Sequence, residues 1–189
     1  MAEATEGQAG LQRPSGARKV MWFAMMIPFF ADFYVRQALP QLIGFIAAER
    51  AATAGQKALL LGSFFPGYVS AQIPSGVLAS ILGPKPIITA NLLGNAALMA
   101  LLPLAAAGDG VAWLAACLCG VGLFQAPMVP AISALYGTWM PKSERAFALA
   151  LPELGSKIAM VFSPLTVPLG FGRIVASEIE APIMSENLV

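Results

Sequence analysis

Two acid–base pairs, each spaced four residues apart, sit in stretches otherwise too apolar for charge: Asp32 with Arg36, and Glu153 with Lys157. On a helix, residues i and i+4 share a face, and the acid on the N-terminal side is the better orientation for an ion pair. A charge at the middle of a membrane costs roughly 2.5 to 3.5 kcal/mol, so four of them need a reason. One reason is self-neutralisation, each helix carrying its own counter-ion. The other is a path for a charged solute, and the two are compatible. The planar fork of Arg36 suits a carboxylate or a phosphate. Asp32 could carry a proton or help hold a cation, and nothing in the sequence chooses between them. Gln125 and Asn91 are uncharged polar residues in apolar runs, and either could join helices by hydrogen bonding. Gln125 stands beside Pro127 and Pro130, where a kink would open the helix, and is the stronger candidate to line a pore.

Other chemistries lack their residues. There is no histidine, which removes the usual general base and the commonest metal ligand. Cys117 and Cys119 would point about 200° apart on a helix and cannot bridge each other. Their C-x-C spacing reads as membrane filler, not a metal site. Ser163 and Lys157 belong to no nucleophile motif, so an enzyme is not expected, nor is a cofactor or a metal.

These side chains must be positioned by helices in lipid. The chain has 189 residues, 58% hydrophobic and 11% charged, where soluble domains carry about 25% charged residues. A net charge of +1 gives no strong pull toward nucleic acid. The expected fold class is an all-α membrane protein with five transmembrane helices: 20–46, 58–82, 86–107, 111–139 and 145–171. Gly83-Pro-Lys-Pro86, Gly108-Asp-Gly110 and Met140-Pro-Lys-Ser-Glu144 read as tight turns. Residues 1–19 are expected to be a flexible cytosolic lead. Residues 172–189 are expected to be a polar tail. Lys and Arg in the loops set orientation. With the N-terminus cytosolic, Arg13, Arg18, Lys19, Lys85, Lys142 and Arg145 fall inside, and Arg50, Lys57 and Arg173 outside.

The second segment carries a ridge of small residues, Ser63, Gly67, Ala71, Ser75, Ala79 and Gly83, each four apart. Small side chains let helix backbones approach in lipid. Steps of four drift by about 40° on a 3.6-residue helix, so the ridge suits a crossing neighbour. Phe64, Phe65 and Tyr68 lie off it. Prolines recur inside the spans, at Pro28, Pro66, Pro74, Pro127, Pro130, Pro152, Pro164 and Pro168. Each removes a backbone donor. So many breaks point toward a bundle that moves.

The same segment reads Gly62-Ser-Phe-Phe-Pro-Gly-Tyr68, then Gln72-Ile-Pro74, Gly76-x-Leu-Ala79 and Gly83-x-Lys85. Further on come Gly122-Leu-Phe-Gln-Ala-Pro-Met-Val-Pro130 and Trp139-Met-Pro-Lys-Ser-Glu-Arg-Ala146. Together these resemble the anion:cation symporter family of the major facilitator superfamily. That branch holds vesicular glutamate transporters, sialin, sodium/phosphate cotransporters and plant plastid anion transporters. The resemblance covers about residues 20 to 170. It implies secondary active transport of organic or inorganic anions, phosphate or carboxylates, coupled to sodium or protons. It also implies an anion-binding role for Arg36 in Tyr34-Val-Arg36, with Tyr68 and Gln125 lining the path. A gating loop would run through Gly76, Ser80, Gly83 and Lys85. Ser80 stands where an aspartate is common, Ile81 and Pro84 replace basic residues, and only Lys85 keeps its charge. Leu118 and Gln125 stand where vesicular glutamate transporters have an arginine and a glutamate. The family has twelve spans in two six-span halves, and the five seen here are expected to be part of the N-terminal half. A non-transporting truncated form that associates with other helices or a full-length relative is the alternative. The family spans plasma, vesicle and plastid membranes, so the membrane is not fixed.

Overall fold

The structure, a computed structural model, describes residues 15–108 and 110–186, and side-chain surroundings over 16–108 and 110–170. Residues 1–14 of the expected lead, Asp109 of the expected turn and 187–189 of the expected tail lie outside the described residues, as do the side chains of 171–186. The described residues form helices and contain no strand. In chain order these are α1 Ser15–Ala24, α2 Met26–Glu49, α3 Ala54–Leu82, α4 Pro84–Ala107, α5 Val111–Gln125, α6 Met128–Trp139 and α7 Lys142–Glu186.

Local chemistry sets the boundaries. Pro28 has no N–H to return to the carbonyl of Ala24 and its ring crowds that carbonyl, so the first expected segment breaks at Met25. Pro127 and Pro130 do the same to the fourth, which divides into α5 and α6 around Ala126–Pro127. α3 starts four residues before the expected Ala58 because Thr53 and Gln56 form a capping box. The Gln56 amide N–H donates to Thr53 Oγ1 at 3.3 Å, and the Thr53 N–H donates to Gln56 Oε1 at 2.9 Å. Gly83, at φ +84°, turns the chain between α3 and α4, and Pro84 opens α4 where a missing N–H costs nothing.

Among the described residues, three stretches are long and apolar enough to cross a membrane: Pro84–Ala107, Val111–Trp139 and Lys142–Gly170. The other two expected spans correspond to α2 and α3, of 24 and 29 residues. At 1.5 Å per residue they reach about 36 and 44 Å, enough to cross. They fall short in apolarity because α2 carries Asp32, Arg36, Gln37 and Gln41, and α3 is diluted by serine, proline and glutamine.

α3 packs along α5, α2 along α7, and α4 along α5 and α6. The ridge on α3 makes the closest approach. A Cβ on Gly67 would collide with the backbone carbonyl of Cys119, and one on Gly122 with that of Phe64. Farther along the ridge, Ala79 packs with the α6 cluster around Met128 and Tyr136, so the ridge crosses from one neighbour to the next. α2 and α7 are joined by hydrogen bonds between Gln41 Nε2 and Ser163 Oγ (3.0 Å) and between the Tyr34 and Thr166 hydroxyls (2.7 Å).

The buried apolar residues fall into two cores, one near each end of the bundle. One joins Leu39, Ile43, Phe64, Leu102, Leu118 and Val121; the other joins Phe29, Ala79, Ile88, Ile132, Tyr136 and Ala148. Along α2, α4 and the α5–α6 pair, the residues between these cores are Asp32, Asn91, Asn95 and Gln125. A buried polar belt therefore crosses the bundle at mid-depth.

Candidate functional site: a caged arginine and a buried polar belt

Arg36, halfway along α2, is half-buried. Its guanidinium carbon lies 4.5 Å from the ring centroid of Tyr68, 5.2 Å from Phe64 and 5.9 Å from Phe33. Phe64 and Tyr68 are one turn apart on α3 and stack on each other at 5.6 Å. Three ring faces thus hold the cation by its attraction to their negative π faces. Among the described residues, no ion pair reaches Arg36. The expected partner Asp32 is 3% exposed and turned into the bundle. The members of the first pair have separated: rings hold the base, and the belt holds the acid. Arg36 lines a cavity of about 200 Å³ with Leu39, Pro40, Phe64, Phe65 and Leu118. Held by rings, it keeps N–H donors that no carboxylate consumes, and this suits an anion entering the cavity.

The belt behind it is a connected network. Gln125 Nε2 donates to the backbone carbonyl of Asp32 at 3.1 Å, tying α5 to α2. Asn91 Nδ2 donates to the carbonyl of Phe124 at 2.6 Å, tying α4 to α5, and the side chain of Asn91 lies beside the Asp32 carboxyl. Asn95 Nδ2 donates to Asn91 Oδ1 at 3.4 Å. Three oxygens of the belt have no hydrogen-bond partner: Asp32 Oδ1, Asn95 Oδ1 and Gln125 Oε1.

Glu153 and Lys157 on α7 behave differently. Their side chains are 51% and 67% exposed and pair at 3.6 Å, with Glu153 also accepting from Ser156 Oγ at 2.8 Å. This is the self-neutralised arrangement that the spacing predicts. In the gating loop, Gly76 is exposed, Ser80 Oγ donates to Val77 within its own helix, and Lys85 Nζ lies 5.7 Å from the Trp139 ring centroid. At the same end, Arg18 pairs with Glu144 at 3.2 Å and Arg145 donates to the Gly137 carbonyl at 2.8 Å.

Of the expected path residues, the fold brings Arg36 and Tyr68 together and sets Gln125 in the adjoining belt. Asn91 joins helices, one of the two roles open to it. Sequence reasoning did not single out Phe33, Phe64 or Asn95 for the site. The i, i+4 spacing of Phe64 with Tyr68 and of Asn91 with Asn95 was the available signal. Among the described residues, no group of three or more His, Cys, Asp or Glu side chains could hold a metal, and Cys117 and Cys119 are free thiols.

A family model described as "Major Facilitator Superfamily" matches residues 21–173. A "Putative inorganic phosphate cotransporter" of Drosophila melanogaster is 36% identical over 127 residues, covering 65% of this chain and 24% of that protein. Human "Sialin" is 36% identical over 104 residues, covering 55% of this chain and 21% of that protein. A "Probable anion transporter 1, chloroplastic" of Oryza sativa subsp. japonica is 33% identical over 113 residues, covering 58% and 21%. The chain therefore spans about a quarter or less of the length of these relatives.

Proposed function

The chain belongs to the major facilitator superfamily and matches a part of its anion:cation symporter branch, and from that premise we propose that it forms one wall of a pathway for small anions. It is an integral membrane protein, all-α, and relatives that it matches are named as a phosphate cotransporter and an anion transporter. The substrates of this reading are organic or inorganic anions, phosphate or carboxylates. Arg36 attracts the anion, Tyr68 lines its route, and Gln125 stands behind them. The carrying observation is the arginine itself, half-buried at mid-depth, held by three rings and, among the described residues, in no ion pair.

Transport by alternating access requires a second wall. The family's substrate sites lie between two halves that rock about the midplane. An exposed Glu153–Lys157 pair in the middle of α7 suits a face covered by further helices or by water better than a face bathed in lipid. The second reading, association with other membrane helices, is favoured by that pair and is compatible with the first. Coupling to sodium or protons belongs to the same proposal, as does a cytosolic N-terminus. Arg18, Lys85 and Arg145 gather with α6 and the start of α7 at one end of the bundle, whereas Arg50 bonds the Gly108 carbonyl at the other.

The test is anion response. Purified chain is titrated with phosphate, glutamate and sialate against chloride, following intrinsic tryptophan fluorescence and thermal midpoint, with uptake measured in liposomes. A saturable response that Arg36→Ala weakens roughly 10- to 150-fold is expected. A response that Arg36→Ala leaves intact would remove Arg36 from this role.

A further inference from the structure

We propose that the side of the bundle between α3, α4 and α6 binds one anionic phospholipid, with an acyl chain in the groove between the helices and the headgroup phosphate on Lys85. Two cavities lie along these helices. The deeper, of about 360 Å³, is lined by Ala71, Ser75 and Leu78 of α3, Ala90 of α4, and Phe124 and Pro127 at the α5–α6 break. The shallower, of about 210 Å³, is lined by Leu82 of α3, Lys85 and Pro86 of α4, and Leu135, Thr138 and Trp139 of α6. Helix periodicity sets one above the other. Ala71 and Leu82 are eleven residues apart, as are Pro127 and Thr138, and eleven residues make three turns to within about 20°. Pro86 and Ala90 are one turn apart on α4. The residues lining both cavities thus share one face of each helix. Leu78, Leu82 and Leu123 along this line are exposed, so the groove opens on the surface of the bundle.

Depth and charge select the occupant. From Ala71 to Leu82, α3 rises about 16 Å, about half of a hydrocarbon core roughly 30 Å thick. The groove is therefore one leaflet deep, which fits a lipid chain and is too short for a spanning helix. Its walls suit hydrocarbon. The hydroxyls of Ser70 and Ser75 donate to the Gly67 and Gln72 carbonyls of their own helix, at 2.9 and 2.8 Å, and the other lining groups are apolar. Trp139 marks the headgroup level, because indole rings favour the interface. Lys85 Nζ lies 5.7 Å from that ring's centroid, so a cation stands at the mouth of the groove at the depth of lipid phosphates. Among the described residues, no ion pair reaches Lys85, and Glu144, the acid at this end, pairs with Arg18. Arg145, bonded to the Gly137 carbonyl on α6, adds a second positive charge at this end. Pro84 and Pro86 have no N–H, so the start of α4 offers few amide donors and the lysine carries the recognition.

This groove is separate from the Arg36 cavity, which α2, α3 and α5 line, and does not rest on the anion pathway. The test uses the purified, delipidated chain in neutral detergent, titrated with phosphatidylglycerol or with phosphatidylcholine of the same acyl chains. Native mass spectrometry counts bound lipid, and the thermal midpoint follows its effect. Wild type is expected to hold one phosphatidylglycerol per chain, with a saturable rise in midpoint and an affinity about fivefold or more above that for phosphatidylcholine. Lys85→Gln should remove that preference, and Lys85→Arg should keep it. Ala90→Trp, which fills the deeper cavity from an exposed position, should weaken both lipids. Equal retention of the two lipids by wild type would overturn the proposal, as would a preference that Lys85→Gln leaves intact. Unchanged retention in Ala90→Trp would remove the chain from the groove and overturn it as well. So would self-association of chains that hold no lipid, or a midpoint rise with inorganic phosphate as large as that with phosphatidylglycerol. The wild-type comparison decides even where a variant fails to fold.

Discussion

Asp32–Arg36 and Glu153–Lys157 share the same spacing, order and helical context, yet the fold treats them in opposite ways. On α7 both side chains point outward and close a 3.6 Å ion pair. On α2 the acid is drawn into the bundle while the base leans onto the rings of α2 and α3. The difference lies in the neighbours. α7 offers its exposed face nothing stronger than its own counter-ion. α2 lies between α3, with two stacked rings, and α4–α5, with a cluster of amides. An i, i+4 acid–base pair is thus an option that tertiary contacts can override. The overridden pair is the one with donors and acceptors to spare for a ligand.

Exchanging the members of each pair tests the contrast most severely. Asp32→Arg with Arg36→Asp would bury a guanidinium among Asn91, Asn95 and Gln125 without a counter-ion, at a cost of about 3–5 kcal/mol. Folded yield and thermal midpoint should collapse. A fully folded exchange would show that the two sites on α2 are not distinct. Next in size is Arg36→Ala. Losing charge-assisted hydrogen bonds of about 1.5–3 kcal/mol predicts a roughly 10- to 150-fold weaker anion response in the titration above. Tyr68→Leu removes the nearest ring, a contact of about 0.5–2 kcal/mol, so the response should weaken about 2- to 30-fold, whereas Tyr68→Phe should keep most of it. If Tyr68→Phe were as damaging as Tyr68→Leu, the hydroxyl would matter more than the ring. The smallest effect belongs to Glu153→Lys with Lys157→Glu. Reversing an exposed pair should change stability by no more than about 0.5 kcal/mol in detergent unfolding. A larger loss would mean that α7 presents this pair to a fixed partner.

Much of this could be read before the structure. The helices, the crossing ridge on α3 and the α7 ion pair follow from local spacing, because helix geometry places i, i+3 and i+4 together whatever else the chain does. Of the expected proline breaks, only those near Pro28 and Pro127 divide a helix, and α3 and α7 run unbroken through Pro66, Pro74, Pro152, Pro164 and Pro168. The capping box that lengthens α3 was also written locally, in Thr53-x-x-Gln56, and went unread. The arginine cage was not legible in the same way. Phe33 and Arg36 share a helix, but Phe64 and Tyr68 reach them only because α3 packs with its aromatic side toward α2. The belt likewise needs α2, α4 and α5 at one depth. Asn95 carried a faint local signal, one turn beyond Asn91, while the oxygens left without a partner appear only in the packed bundle.

The contact between Gly67 and Gly122 has a genetic consequence. Every nucleotide change in a glycine codon that alters the amino acid adds at least a Cβ, and at either position that atom lands on the facing backbone. Neither codon has a harmless missense neighbour. In a saturation library scored for membrane-inserted folded protein, both positions should return only synonymous survivors, while Gly62 and Gly76, with open space around them, should accept alanine and serine.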